Sequence, residues 1–168
     1  MPAQKILLYP HPLLKKMTRP VAAIYDEIRA LVTDLIDTMR EGPGSVGVAA
    51  PQIGVSLRLC VVDVSASRNG RENNHGLLIL INPEIVEQEG TAVMREGCMS
   101  VPDYTGDVER ATLVKISYLD ENGSPRLLEA TGFEAVAIQH EMDHLDGILF
   151  LDRITSLKTG LFRRKNYR

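Results

Sequence analysis

Gln139-His140-Glu141-Met142-Asp143-His144 carries the densest chemistry in the chain. Two imidazoles four residues apart lie on one face of an α-helix, little over one turn apart, so both can bind a single metal ion. Glu141, beside the first imidazole, is then placed to take a proton from water activated by that metal. Two histidines are half of a catalytic site. A third protein ligand is needed, with one position left open for water or substrate.

The sequence after His144 does not supply it. One protease class continues this pattern with a glycine and a third histidine; Gly147 is in register, but Phe150 stands where the histidine would be. No Glu and no His follows His144. Of the carboxylates that remain, Asp152 and Asp146, the latter lies about 200° round the helix and faces away. The third ligand is therefore expected upstream, and Cys98 is the best candidate. A thiolate beside two imidazoles makes an established kind of catalytic site, and Gly97 lets the backbone turn closely round a metal. The alternative for Cys98 is a buried, inert thiol. Glu96 reads as a group that steadies a ligand rather than as a ligand, with Arg110 as a partner. Phe133, Val136 and Ala137 lie seven, four and three residues before His140, on the metal's side of the helix. They line an apolar pocket if that face is open and ordinary core if it is not. His11, between Pro10 and Pro12, reads as a loop residue.

These residues need elements to hold them. Phe133 to Asp146 is the expected histidine-bearing helix, ended by Gly147 as the residue after the cap. Ile28, Leu31, Val32, Leu35, Ile36 and Met39 make one apolar stripe on an N-terminal amphipathic helix, with Asp26 as N-cap and Gly42-Pro43 as stop. Gly44 to Gly54 is glycine- and alanine-rich and uncharged. Without a following Gly-Lys-Ser/Thr it is no phosphate loop, and it reads as tight packing or as a place where a substrate backbone approaches. Leu57 to Val64 and Leu77 to Ile81 are expected strands, and Glu84 to Glu96 alternates weakly. Ala111 to Leu119 and Arg126 to Ala130 flank an Asn-Gly turn, the clearest hairpin. Ile148 to Leu151 reads as one more short strand. Strands first and a helix late predict an α+β fold, with antiparallel β-sheets packed around a central metal-binding helix.

Length and composition set the frame. The chain has 168 residues, 44% hydrophobic and 24% charged, with net charge −3. That suits one domain over 1–168 and lacks the basic footprint of a sequence-specific nucleic-acid binder. The first residues carry no apolar core of a signal peptide, and no apolar run is long enough to span a membrane. Two cysteines make no disulfide framework, so a reducing cytoplasmic setting is expected, with Cys60 a small buried hydrophobe. Residues 155–168 form a basic C-terminal tail with Lys158, Arg163, Arg164, Lys165 and Arg168. It reads as a solvated end, with an anionic partner as the sharper alternative.

Gly47-Val48-Ala49-Ala50-Pro51-Gln52, Glu96-Gly97-Cys98-Met99-Ser100 and Gln139-His140-Glu141-Met142-Asp143-His144 together resemble the three ordered motifs of the peptide deformylases. The resemblance covers nearly the whole chain. It implies removal of the N-formyl group from the initiator methionine of newly made polypeptides, with release of formate. It implies one divalent metal on Cys98, His140 and His144, usually Fe(II), with zinc, nickel or cobalt able to occupy the site. Glu141 would be general base and acid, and the Gln52 side chain and Met99 N–H would bind the oxyanion. Val46, Gly47, Phe133, Val136 and Ala137 would bind substrate, Glu96 and Arg110 would form a supporting ion pair, and the basic tail could meet the ribosome. Ser45 departs from the family's first glycine and can crowd the substrate backbone. Met99 replaces the commoner leucine. Two rivals are a metalloprotease cutting internal peptide bonds and a non-catalytic deformylase-like binding protein.

Overall fold

The computed structural model describes residues 3–164. A 3₁₀ turn at Pro12–Lys15 precedes α1 (Asp26–Glu41), β1 (Gly47–Ala49), a second 3₁₀ turn (Ala50–Ile53), β2 (Leu59–Val62), β3 (Leu78–Glu89) and β4 (Ala92–Cys98). There follow β5 (Val101–Arg110), β6 (Leu113–Leu119), β7 (Pro125–Thr131), α2 (Gly132–Leu145), a third 3₁₀ turn (Phe150–Arg153) and β8 (Leu161–Arg163). The strands form two antiparallel sheets, ordered β1-β2-β3-β6-β7 and β4-β5-β8. The α+β class is as the sequence predicts.

β2 explains the layering. Its four residues are all buried. Leu59 and Val61 pack with Leu31, Leu35 and Met39 of α1, whereas Cys60 and Val62 pack with Ala135, Ile138 and Met142 of α2. Side chains alternate along a strand, so one covered on both faces needs an unbroken apolar run. Burial also pushes the Cys60 thiol pKa up, which leaves it inert.

α1 buries the expected stripe, but Tyr25 rather than Asp26 is its N-cap. Asp26 and Glu27 sit in the first turn, where negative charge complements the helix dipole. α2 is different: every residue from Glu134 to Leu145 is buried. Beneath it, Cys98 joins Leu14, Val101, Val108, Leu149 and Phe150 in a third core cluster. Gly147, at φ +75, follows the helix where any Cβ would lie 2.6 Å from the Lys15 carbonyl oxygen.

Other segments differ from expectation. Ile148 to Leu151 is not a strand: Leu149 and Phe150 are drawn into the cluster below Cys98. The Asp152 carboxylate accepts the Leu149 N–H at 2.9 Å and winds the segment into a 3₁₀ turn. The basic tail does not trail into solvent as far as Arg164, because Leu161–Arg163 pairs with β5. Lys165 and Arg168 lie outside the described residues. The Asn-Gly hairpin is present between β6 and β7, with Asp120 Oδ1 accepting from the Asn122 and Ser124 N–H groups.

Candidate metal centre

Cys98 ends β4 at a register shift, where only Met99 and Ser100 separate β4 from β5. The shift turns the thiol toward α2, which supplies His140 and His144. Cys98 Sγ lies 3.4 Å from His144 Nε2, and ligand atoms of all three residues fall within 4.8 Å of one another. All three side chains are buried. Phe150, at the place of the protease class's third histidine, stacks on His140 with ring centroids 6.2 Å apart.

Charged groups hold this cluster from behind. His140 Nδ1 is 2.9 Å from Glu96 Oε1, and Arg110 grips the same carboxylate through Nε at 2.7 Å and Nη2 at 2.9 Å. Arg110 also donates to Asp143 at 2.6 Å, and Arg153 donates to that carboxylate at 3.0 Å. Donation of Nδ1–H to Glu96 leaves the His140 Nε2 lone pair facing the cluster. Burial works against the Glu96 charge, but the Arg110 and His140 hydrogen bonds outweigh it and bring the pKa down to about 2. Burial likewise opposes a charged His140, yet Cys98 and Glu96 raise its pKa, while burial lowers that of His144. At Glu141 burial dominates and lifts the carboxyl to about 7.

Two buried atoms here have no partner among the described residues: Glu141 Oε1 and His144 Nδ1. One sulfur and two imidazole nitrogens, steadied by the Glu96 carboxylate, form a donor set that fits one divalent ion with a position left open.

A cavity of about 530 Å³ opens onto this cluster, within the size range of small-ligand sites. Val46 and Gly47 line one side, Gly97 and Cys98 the other, and Phe133, Val136 and Ala137 of α2 form its apolar floor. That apolar face therefore borders the cavity while staying largely buried, with Ala137 and Phe133 also packed into the core. Gly47 lies against the Glu141 carboxylate, where a Cβ would come within 2.8 Å of Oε2. Gln52 Oε1 accepts the Ala49 N–H, and its Nε2 donates to Ser100 Oγ at 3.0 Å while lying 3.5 Å from Cys98 Sγ. Met99 lines the cavity, and its N–H has no hydrogen-bond partner among the described residues. Ser45 Oγ donates to the Gly47 carbonyl at 3.2 Å. His11 lies apart, exposed, with Nδ1 accepting the Leu13 N–H.

The sequence reading missed Ser100, Asp143 and Arg153. Asp143 left a signal, an acid on a helix with no wet face, but Ser100 and Arg153 left none.

A family model for polypeptide deformylase matches residues 3–160. The chain belongs to the polypeptide deformylase family. It is 45% identical over 160 residues to the peptide deformylase of Alkalilimnicola ehrlichii, covering 95% of this chain and 86% of that one. The crystal structure of the Ehrlichia chaffeensis peptide deformylase in complex with actinonin superposes with TM-score 0.87 at 34% identity, over 94% of this chain and 92% of that one. A Met-Ala-Ser-bound peptide deformylase from Acinetobacter baumannii superposes with TM-score 0.83 at 36% identity, over 90% and 98%. This deformylase-family chain is a metal-dependent hydrolase that removes the N-formyl group from the formyl-methionine of newly made polypeptides.

Proposed function

We propose that Cys98, His140 and His144 hold one divalent ion, Fe(II) natively, and that Glu141 is the group that moves the proton. A bound ion supplies Lewis acidity, lowering the pKa of water to about 7 and polarising the formyl carbonyl. Glu141 takes the proton of the attacking water on its carboxylate and returns it to the departing amine nitrogen. A carboxyl lifted by burial suits both halves of that task, because its two protonation states are close in energy near neutral pH. Gln52 Nε2 and the Met99 N–H donate to the developing oxyanion; loss of one such donor typically costs ~10²–10³ in rate. Glu96 fixes the His140 ring, and Arg110 fixes Glu96. The Cys-His-His cluster, with Cys98, His140 and the buried Glu141 lining one cavity, carries this reading.

The methionine side chain occupies the floor made by Phe133, Val136 and Ala137. Among the described residues, β1 and β4 are each paired on one side only, and both border the cavity. The formylated peptide then lies extended between two open strand edges, bound through backbone hydrogen bonds that include Val46 and Gly47. The Acinetobacter neighbour's Met-Ala-Ser complex supports a peptide of that kind. The chain acts as a single domain in the cytoplasm, where formylated chains emerge. No described helix is long and apolar enough to cross a membrane. Exposed Lys158 and Arg163 offer the ribosome a basic contact.

The test is formate release from formyl-Met-Ala-Ser by freshly prepared, iron-loaded protein. Turnover with no cleavage of an unformylated protein is the expected result. Cleavage of internal bonds points to the protease reading, and binding without formate release to the non-catalytic one.

A further inference from the structure

Arg164 enters none of the roles above, yet it lines the same cavity. It follows β8, and its backbone N–H donates to the Asp103 carbonyl at 2.8 Å, which fixes where the side chain starts. The side chain crosses β5 and lies over Gly97 of β4, where any Cβ would strike Nη2. Its Nε is buried without a hydrogen-bond partner, and among the described residues no carboxylate pairs with it. The other arginine on this wall, Arg95, is already engaged: its guanidinium lies 3.6 Å from the Phe162 ring centroid and 3.8 Å from Asp107. Among the described residues Arg164 is thus an unmatched, partly desolvated cation lining the peptide cleft.

Strand alternation says which part of a peptide it meets. Along β4, Glu96 and Cys98 are buried toward α2, while Arg95 and Gly97 are exposed on the opposite face. Gly97 pairs with Thr105, and Thr105 with Phe162, so Phe162 and Arg164 share that outer face. In an extended peptide whose methionine side chain enters the floor on α2, the next side chain points the other way. That is the face covered by Arg164. Resting on the substrate geometry above, we propose that Arg164 is a specificity-determining residue that favours formyl-methionyl chains with Asp or Glu immediately after the methionine. The guanidinium meets that carboxylate through charge-assisted hydrogen bonds, in the geometry arginine makes best.

The test compares kcat/KM for formyl-Met-Glu-Ser and formyl-Met-Gln-Ser, both as C-terminal amides so that only the side chain differs in charge. Wild type is expected to favour the Glu peptide roughly fivefold at low salt, as a partly exposed ion pair allows, and less at high salt. In Arg164→Gln the ratio falls to about one, because the pair is gone. Arg164→Glu reverses the preference, so that formyl-Met-Lys-Ser outruns the Gln peptide, and Arg164→Lys keeps part of the wild-type ratio. Turnover of the Gln peptide by each variant reports that it is folded. A wild-type ratio near one overturns the proposal, as does a ratio that survives in Arg164→Gln. So does a preference found only at the third residue, in formyl-Met-Ala-Glu against formyl-Met-Ala-Gln. If wild type releases formate from none of these peptides, the deformylase reading itself has failed, which is a separate outcome.

Discussion

α1 and α2 lie on opposite faces of the same five-stranded sheet, and they use burial for different ends. α1 is wet on one side: it buries Ile28, Leu31, Val32, Leu35 and Met39 and leaves most of its charge in solvent. α2 is dry all round, and yet among its buried residues are Glu134, Gln139, His140, Glu141, Asp143 and His144. A helix of the first kind is replaceable scaffold, since only apolar area and shape matter to it. The second kind keeps its polar groups only because each has a partner or a task, and a group with neither is costly. Gln139 bonds the Ala111 backbone through N–H and carbonyl, Glu134 accepts the His75 N–H, and Asp143 meets two arginines. Glu141 Oε1 and His144 Nδ1 are left over among the described residues, and Glu141 lines the cavity where the chemistry belongs.

The largest test of this contrast is Glu141→Ala. Formate release is expected to fall by ~10²–10⁴, the usual worth of a general acid–base group, while metal content stays at one ion per chain. Wild-type turnover in that variant would sink the assignment. Arg110→Met should rank next, because it takes the arginine away from buried Glu96 and leaves Asp143 with Arg153 alone. Stability should drop by about 3–5 kcal/mol in urea unfolding, and metal affinity by about 10–100-fold. Leu35→Ala on α1 should cost about 2–5 kcal/mol, yet leave kcat/KM of the folded protein unchanged. A matching loss of activity would show that α1 is coupled to the site after all.

A pH titration tests the buried charge that β4 sets against α2. Glu96 has a folded pKa of about 2, below its ordinary 4.5, so its contribution is fully present above that ordinary value. It is lost as pH falls through the folded value. Urea unfolding of wild type should therefore weaken between those limits, with a smaller slope in Glu96→Gln; equal slopes would remove Glu96 as the cause. The smallest effect is expected at Ser45→Gly, which frees the Gly47 carbonyl from the Ser45 hydroxyl. KM for formyl-Met-Ala-Ser should fall by roughly threefold with kcat unchanged, the scale of one neutral hydrogen bond. A raised KM would mean that Ser45 helps to hold the peptide.

The same contrast governs what could be read in advance. A stripe at helical spacing or a doubly covered strand is a local pattern, so α1, β2 and the Asn-Gly hairpin were legible. Ile148 to Leu151 was misread because apolar, β-favouring residues look alike whether they pair with a strand or plug a core. The basic tail was misread because a short run of alternating residues says nothing about the free edge of β5 that receives it.

From sequence alone came the family resemblance and the His140–His144 spacing, because helical periodicity fixes which residues share a face. It also placed the third ligand upstream, because no Glu and no His follows His144. Tertiary structure decided the rest: that Cys98 lies 3.4 Å from His144, that Gln52 is braced by Ser100, and that Asp143 is held by Arg110 and Arg153. It also carried Arg164 from the far end of the chain to Gly97. Apart from Asp143 and Arg153, those pairs are separated by tens of residues, and no local propensity records which distant strand a chain will meet. Only the burial of one shared core brings them together.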